Sequence, residues 1–382
     1  MTQAPPPGDM TLQRTSRDPE QVRAAMVTWL RATMPADADP QVELRLSEGA
    51  TGMSSETVLL SITATVEGTR RTREFVARVA PRPADVPVFP TYRLGDQYEA
   101  MRLAGELAGV PVPRVSSLDV DGAILGTPLF LMARVDGIVP PDVLPYPFGG
   151  NWLYDAPLEQ QQALQRNSVQ VLAQLHGIPD AGRVEEAEDP AVTGHQGATP
   201  LARNLAKTRA WYEFAVAADT GNTRSPLVER ALAWLGANLP AEGAPVLVWG
   251  DARIGNMMYR DFAPVAVLDW EMATLGPREM DVAWMVFAHE VFQSIATTFG
   301  LDGMPHFLRE QDIVATYTEL TGVAVGDLTW YRLHAAAMWS CVFLRTSSRQ
   351  IHFGEIERPE DPESVFYHRS LLEGLLSQVG AA

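Results

Sequence analysis

The apolar residues of this chain change period near residue 135. Between Val42 and Val79 they recur at every second position, in VELRLSE, TVLLSITATV and REFVARV, and LFLMARV continues the pattern at 129–135. Alternation of that kind belongs to strands. From residue 158 onward the spacing is three to four, the period of helices packed on one face. Segments 158–176, 226–239, 310–322 and 328–351 read this way, and 279–298 is apolar nearly all round and is expected to be buried. Strands gathered before helices predict an α+β chain rather than an alternating parallel one.

Within the first part, 20–34 and 96–108 have helical spacing, the latter stopped by Gly109. Glu67-Gly68-Thr69 marks a hairpin turn, and Gly122 a second turn. Residues 1–18 read as a Pro-rich tail without the basic and apolar regions of a secretory signal. The expected organisation is a lobe over 19–135 and a second over 136–382.

Composition removes several functions. The chain has 382 residues and a formal net charge of −17, which disfavours nucleic acid and anionic membrane surfaces as partners. No run of about 18 uncharged apolar residues suggests a membrane span. The single cysteine, Cys341, lies in an apolar run and permits neither a disulfide nor a cysteine metal cluster. A cytoplasmic location is the expectation. Lys207 is the only lysine, so a function that needs a phosphate-binding lysine has one candidate.

Chemistry concentrates in 245–284, PVLVWGDARIGNMMYRDFAPVAVLDWEMATLGPREMDVAW. PVLVW reads as a strand ending at Gly250. Asp251 and Asn256 bracket a tight loop, MMYR leaves it, Asp261 to Pro264 turns the chain, and VAVL returns to Asp269. Two strands of similar length joined by a turn bring their open ends together, so Asn256 and Asp269 should be neighbours with Asp251 across the loop. Asp and Asn are common where strands end. Two carboxylates and a carboxamide oxygen at one hairpin mouth nevertheless suit Mg²⁺, which takes one or two carboxylates plus substrate phosphates.

The run WGDARIGN…VLDWE…GPREMDVAW resembles the H-G-D-x₄-N…D-W-E…D-x-A-W signature of the aminoglycoside phosphotransferase-like kinases. More narrowly, it resembles the branch also found fused to acyl-CoA dehydrogenases. ATGMSSET at 50–57, VPVPRV at 110–115, FLMARVDG at 130–137 and LAQLH at 172–176 extend the resemblance along most of the chain. It implies a bilobal protein-kinase-like fold with a β-rich N-terminal lobe, a mainly α C-terminal lobe and ATP between them. By the same resemblance Asp251 accepts the proton of the acceptor hydroxyl, and Asn256 and Asp269 hold magnesium. Gly52, Met53, Ser54 and Ser55 belong to the phosphate-covering loop, and backbone groups of Met132 to Arg134 face adenine.

Departures from the family pattern are informative. The strand FVARV holds Arg78 where a lysine is usual, and a guanidinium fork can hold two phosphate oxygens. Gln97 stands where the partner glutamate is usual, with Glu99 two residues on; positions two apart do not share a helix face, so only one points inward. Trp249 replaces the usual His, and an indole donates a single hydrogen bond. Asp281 reads as an acid tying the catalytic region to a helix start, and His176 as a structural residue favoured by a helix C-terminus. Acceptor-side candidates are Trp284, His289, Trp339, Arg345 and His352.

The expected activity is ATP/Mg²⁺-dependent transfer of a phosphoryl group to a small-molecule hydroxyl, with a hydroxylated metabolite or acyl compound favoured over an aminoglycoside. A nucleotide-binding pseudokinase is the alternative, motivated by Arg78, Gln97 and Trp249. A metal-dependent hydrolase would lack its usual histidines.

Overall fold

The computed structural model describes residues 17–45, 55–179, 199–218 and 224–381. The chain divides into two units, Met1–Arg102 with Pro113–Asp136, and Leu103–Val112 with Gly137–Ala382.

The first unit opens with helix α1 (Pro19–Thr33), capped by Asp18, whose carboxylate accepts from the Glu20 N–H at 2.9 Å. Pro19 follows at the first helical position, where its missing donor costs nothing. Val22, Met26 and Leu30 form the buried stripe of α1. It packs on one face of a sheet made of β1 (Gln41–Arg45), β2 (Glu56–Val66), β3 (Thr69–Val79), β4 (Val115–Asp119) and β5 (Leu129–Ala133). The strands run antiparallel in the order β1-β2-β3-β5-β4. Val42, Leu60, Ile62, Ala77, Val79, Leu129 and Leu131 supply the sheet's share of that core. Because side chains alternate along a strand, Arg78 belongs to the opposite face.

Strand β3 begins earlier than REFVARV suggests. Glu67 and Gly68 both have positive φ, 51° and 73°, which makes a two-residue hairpin turn whose twist matches its strands. Pairing therefore starts at once, from Val66 opposite Thr69 to Glu56 opposite Val79. Helix α2 (Leu94–Ala108) lies between β3 and β4 in sequence, and the division between units falls inside it.

The second unit is mainly helical: α3 (Leu158–Leu175), α4 (Pro200–Ala217), α5 (Pro226–Ala237), α6 (Glu279–Thr298), α7 (Glu310–Thr321), α8 (Thr329–His352) and α9 (Arg369–Gln378). Between α5 and α6 lie four short strands, β6 (Val246–Val248), β7 (Met257–Arg260), β8 (Ala263–Val267) and β9 (Thr274–Gly276). They form two pairs, β6 with β9 and β7 with β8. As its composition suggests, α6 is buried along most of its length. The sequence reading has no α4, α9 or β9. The buried face of α4 mixes Asn204 and Thr208 with Leu201, Leu205 and Trp211, which blurs the apolar period. Among the described residues no helix is long and apolar enough to cross a membrane.

Candidate active site

The β7–β8 hairpin turns tightly. Asp261 and Phe262 both have positive φ, 50° and 61°, and Arg260 pairs directly with Ala263. The turn is thus two residues shorter than Asp261 to Pro264. At the open end Met257 lies opposite Val267, and the Leu268 N–H donates to the Asn256 carbonyl at 2.8 Å. Asn256 and Asp269 are therefore brought to the same hairpin mouth, as the spacing requires. Asp269 itself has φ 59°, a left-handed conformation that Asp tolerates better than most residues.

Asp251 is held by three side chains. Its Oδ1 accepts from Trp284 Nε1 at 2.7 Å and from Arg253 Nε at 3.1 Å. Its Oδ2 accepts from Asn256 Nδ2 at 2.7 Å, and the Arg253 Nε is shared with it at 3.3 Å. Asn256 Nδ2 also donates to the Asp251 carbonyl at 3.1 Å. These two bonds fix the carboxamide, so Oδ1 is the atom Asn256 can offer to a cation.

Arg253 is gripped from its other side by Asp142, whose Oδ2 lies 2.5 Å from Nη1. Burial alone would lower the pKa of Arg253, but Asp142, Asp251 and Asp269 more than offset it and hold the guanidinium charged. A side chain on Gly255 would fall on Asp142 Oδ1 and Arg253 Nη1, which accounts for glycine there. The other oxygen of Asp142, Oδ1, is buried without a hydrogen-bond partner. Three carboxylates around one guanidinium leave the mouth net negative. Among the described residues no group of three or more carboxylates, histidines or cysteines is arranged to hold a metal ion, so a cation at this mouth would rely on Asn256 Oδ1, Asp269 and oxygens of a bound ligand.

A second network fixes the loop from below. Asp281, in the first turn of α6, is fully buried and accepts from the backbone N–H groups of Trp249 and Gly250, each at 2.8 Å. Its Oδ2 also meets His176 Nε2 at 3.0 Å, while His176 Nδ1 meets the Tyr317 hydroxyl at 2.8 Å. Both residues hold structure together here, as their positions suggest. His176 is the C-cap of α3, at the helix end as expected, and in addition its side chain bonds to Asp281 and Tyr317. Gly250 has φ 92°, and a Cβ there would strike the Met272 carbonyl, so the tie requires glycine. Trp249 spends its single donor on the Leu268 carbonyl at 2.9 Å, one residue before Asp269.

The sequence over residues 50–309 matches the model of the phosphotransferase enzyme family. The chain belongs to that family. Acyl-CoA dehydrogenase family member 10 of Mus musculus is 30% identical over 243 residues, covering 63% of this chain and 20% of that protein. Family member 11 of Gallus gallus is 25% identical over 206 residues, covering 52% and 23%. The chain thus spans about a quarter or less of the relatives' length. A candidate aminoglycoside phosphotransferase from Ralstonia eutropha superposes with TM-score 0.59 at 19% identity, over 92% of this chain and 96% of that one. Aminoglycoside phosphotransferase APH(4)-Ia, in ternary complex with AMP-PNP and hygromycin B, does so with TM-score 0.50 at 15% identity, over 94% and 100%. These neighbours establish a phosphotransferase, kinase-like α+β fold.

The residues expected to bind nucleotide in this phosphotransferase-family chain meet different fates. Gly52, Met53 and Ser54 lie outside the described residues; Ser55 is buried at the start of β2. Arg78 is buried on β3 and donates from Nη1 to Thr57 Oγ1 at 3.1 Å. Lys207 lies on α4, within hydrogen-bond reach of Thr274, in the second unit. Gln97 is buried, whereas Glu99 is spent on Arg102 of its own helix at 2.6 Å, so Gln97 is the inward residue. Met132 pairs with Val76 and Val115 inside the sheet. The Ala133 N–H donates to the Arg114 carbonyl at 2.9 Å and the Arg134 N–H to the Glu74 carbonyl at 3.1 Å. Those two donors are already used by the sheet, which removes them from the expected adenine contact in this conformation.

Among the acceptor candidates only Trp284 touches Asp251, and it lies 6.1 Å from Trp339 between ring centroids. His289 is a core residue bonded to the Tyr146 hydroxyl at 2.7 Å, and Arg345 is buried over the Phe214 ring. His352 packs edge-on against Phe353. Sequence reasoning missed Arg253 and Asp142. Arg253 was visible as the one cation inside the D-x₄-N loop; Asp142, in a proline-rich loop 111 residues away in sequence, gave no signal.

Proposed function

We propose that the chain transfers the γ-phosphoryl group of ATP to a hydroxyl of a small molecule. The observation that carries this reading is the Asp251 carboxylate, oriented by Trp284, Arg253 and Asn256 beside Asp269. A carboxylate offers about four lone-pair sites. With most of them engaged, Asp251 is a weak base whose main work is to orient the acceptor hydroxyl and take its proton late. Asn256 Oδ1 and Asp269 would hold Mg²⁺, whose charge neutralises the transferring phosphoryl group. Arg78 is proposed as the cation for nucleotide phosphates, with Ser55 and the preceding Gly52, Met53 and Ser54 as the covering loop. Met132 and Arg134 remain candidates on the adenine side through groups other than the two committed N–H donors.

For the acceptor, a hydroxylated metabolite or acyl compound is favoured over an aminoglycoside. Next to Asp251, Trp284 packs on Trp339, and Phe287 and Phe292 pack on Trp339 as core residues. The acyl-CoA dehydrogenase relatives support this preference.

The test is calorimetric ATP binding with and without Mg²⁺, followed by ADP release against a panel of hydroxylated metabolites, hydroxyacyl compounds and aminoglycosides. Mg²⁺-dependent binding with acceptor-stimulated release is the expected result. Absence of ATP binding contradicts the proposal, and binding without release from any acceptor favours a pseudokinase.

A further inference from the structure

The first unit has a pocket of about 450 Å³ at one end of its sheet, walled by Arg73, Glu74, Phe75, Arg114, Arg134 and Asp136. Strand pairing assembles it. Phe75 lies opposite Ala133, the Ala133 N–H reaches the Arg114 carbonyl, and the Arg134 N–H reaches the Glu74 carbonyl. Residues far apart in sequence are thereby locked at the same edge by backbone bonds that do not depend on their side chains.

The charges in this pocket are unevenly matched. Both carboxylates lean on Arg134: Glu74 lies 3.9 Å from its Nη1 and Asp136 lies 3.6 Å from its Nη2. Glu74 also accepts from Ser61 Oγ at 2.7 Å. No ion pair or hydrogen bond involves the side chains of Arg73 and Arg114 among the described residues. A chain of net charge −17 has carboxylates in excess, yet two guanidiniums face the same concavity without one. Each presents a planar fork of donors suited to phosphate oxygens, and the half-buried Phe75 ring keeps part of the wall apolar.

We propose that Arg73 and Arg114 form a binding site for a small phosphate-bearing polyanion, with Arg134 as a third cation held partly in reserve by Glu74 and Asp136. The site is distinct from the Arg78 position on β3, and it stands or falls independently of the kinase activity. The anion would be either a separate ligand or the phosphate chain of a nucleotide; we assign it to a separate ligand.

Inorganic pyrophosphate is the probe, titrated calorimetrically into the full chain at low ionic strength. Arg73→Ser and Arg114→Ser are each expected to weaken binding about tenfold, the worth of one charge-assisted contact. Asp136→Asn, at a largely exposed side chain, is expected to tighten it by releasing Arg134. Binding should weaken steeply as salt is raised, and it should persist with saturating ATP present. The proposal is overturned if pyrophosphate does not bind, if the Arg73→Ser/Arg114→Ser double variant binds it as well as the parent, or if ATP displaces it one for one. All three substitutions fall on exposed side chains, so the folded state of each variant is checked simply by its unchanged melting temperature.

Discussion

At the residue scale the account rests on how Asp251 is held. A carboxylate that must receive a proton from a substrate hydroxyl needs a fixed direction more than it needs basicity. Trp284 and Asn256 each fix one oxygen with a 2.7 Å bond, and Arg253 bridges both. Trp284→Phe keeps most of the ring packing and deletes one of these bonds. A hydrogen bond to a charged group is worth about 1.5–3 kcal/mol. Turnover should therefore fall about tenfold or more with ATP affinity unchanged, as steady-state rates and calorimetry would show; equal turnover would remove Trp284 from the site. Asp251, Asn256 and Asp269 were legible from the sequence because their spacing around one hairpin is local. Trp284 and Asp142 were not legible as partners, because packing of α6 and of a distant loop brings them in.

At the element scale the site depends on the short β6 strand ending where α6 begins. Asp281 accepts two backbone N–H groups at the strand end, and three residues further along the same helix face Trp284 reaches Asp251. One helix start thus positions both the loop and the carboxylate within it. Gly250 is the point of closest approach. Gly250→Ala combines a left-handed backbone strain with a clash against the Met272 carbonyl. A loss of about 2 kcal/mol or more in stability is expected from denaturant unfolding, with turnover falling further because Asp251 is the next residue. Unaltered stability would show that the loop backbone is looser than this packing implies. Helices α1, α2 and α3 were readable from their apolar period and α6 from being apolar nearly all round; α4 was not, because its buried face carries polar residues that find partners only in the fold, as Asn204 does with the Leu275 carbonyl at 2.8 Å.

At the scale of the whole molecule, charge and burial set the response to pH. His289, His334 and His368 are buried, and desolvation lowers each from its ordinary value to about 4; backbone acceptors at Met304 and Ala336 oppose this for His289 and His368. Above pH 6.5 these groups are neutral in folded and unfolded chains alike, and their environment costs nothing. Between pH 6.5 and about 4 the unfolded chain takes up protons that the folded chain refuses, so stability is lost as pH falls through that window. Each histidine would contribute on the order of 3 kcal/mol at the acid end. The melting temperature should fall from pH 7 to pH 4.5, and His334→Gln, which keeps a hydrogen-bonding group near Thr208, should make the fall shallower. An equal slope in that variant would contradict the assignment. The net charge of −17 disfavours nucleic acid and anionic membrane surfaces and does not extend to small phosphate ligands bound at a local site. Arginines gather locally, at Arg78 on β3 and around the pocket of Arg73 and Arg114, the two places where we propose phosphate contacts.

The central claim is that Asp251 serves the chemical step while Asp269 serves the cation. Asp269 has positive φ, so Asn is the substitution that removes its charge without adding backbone strain. The decisive measurement is Mg²⁺-dependent ATP affinity and ADP release in parallel for Asp251→Asn and Asp269→Asn. The account predicts that Asp251→Asn binds MgATP within about twofold of the parent and loses turnover by about a thousandfold or more, whereas Asp269→Asn loses the Mg²⁺ dependence of binding itself. Full turnover in Asp251→Asn, or unchanged Mg²⁺-dependent affinity in Asp269→Asn, would contradict it.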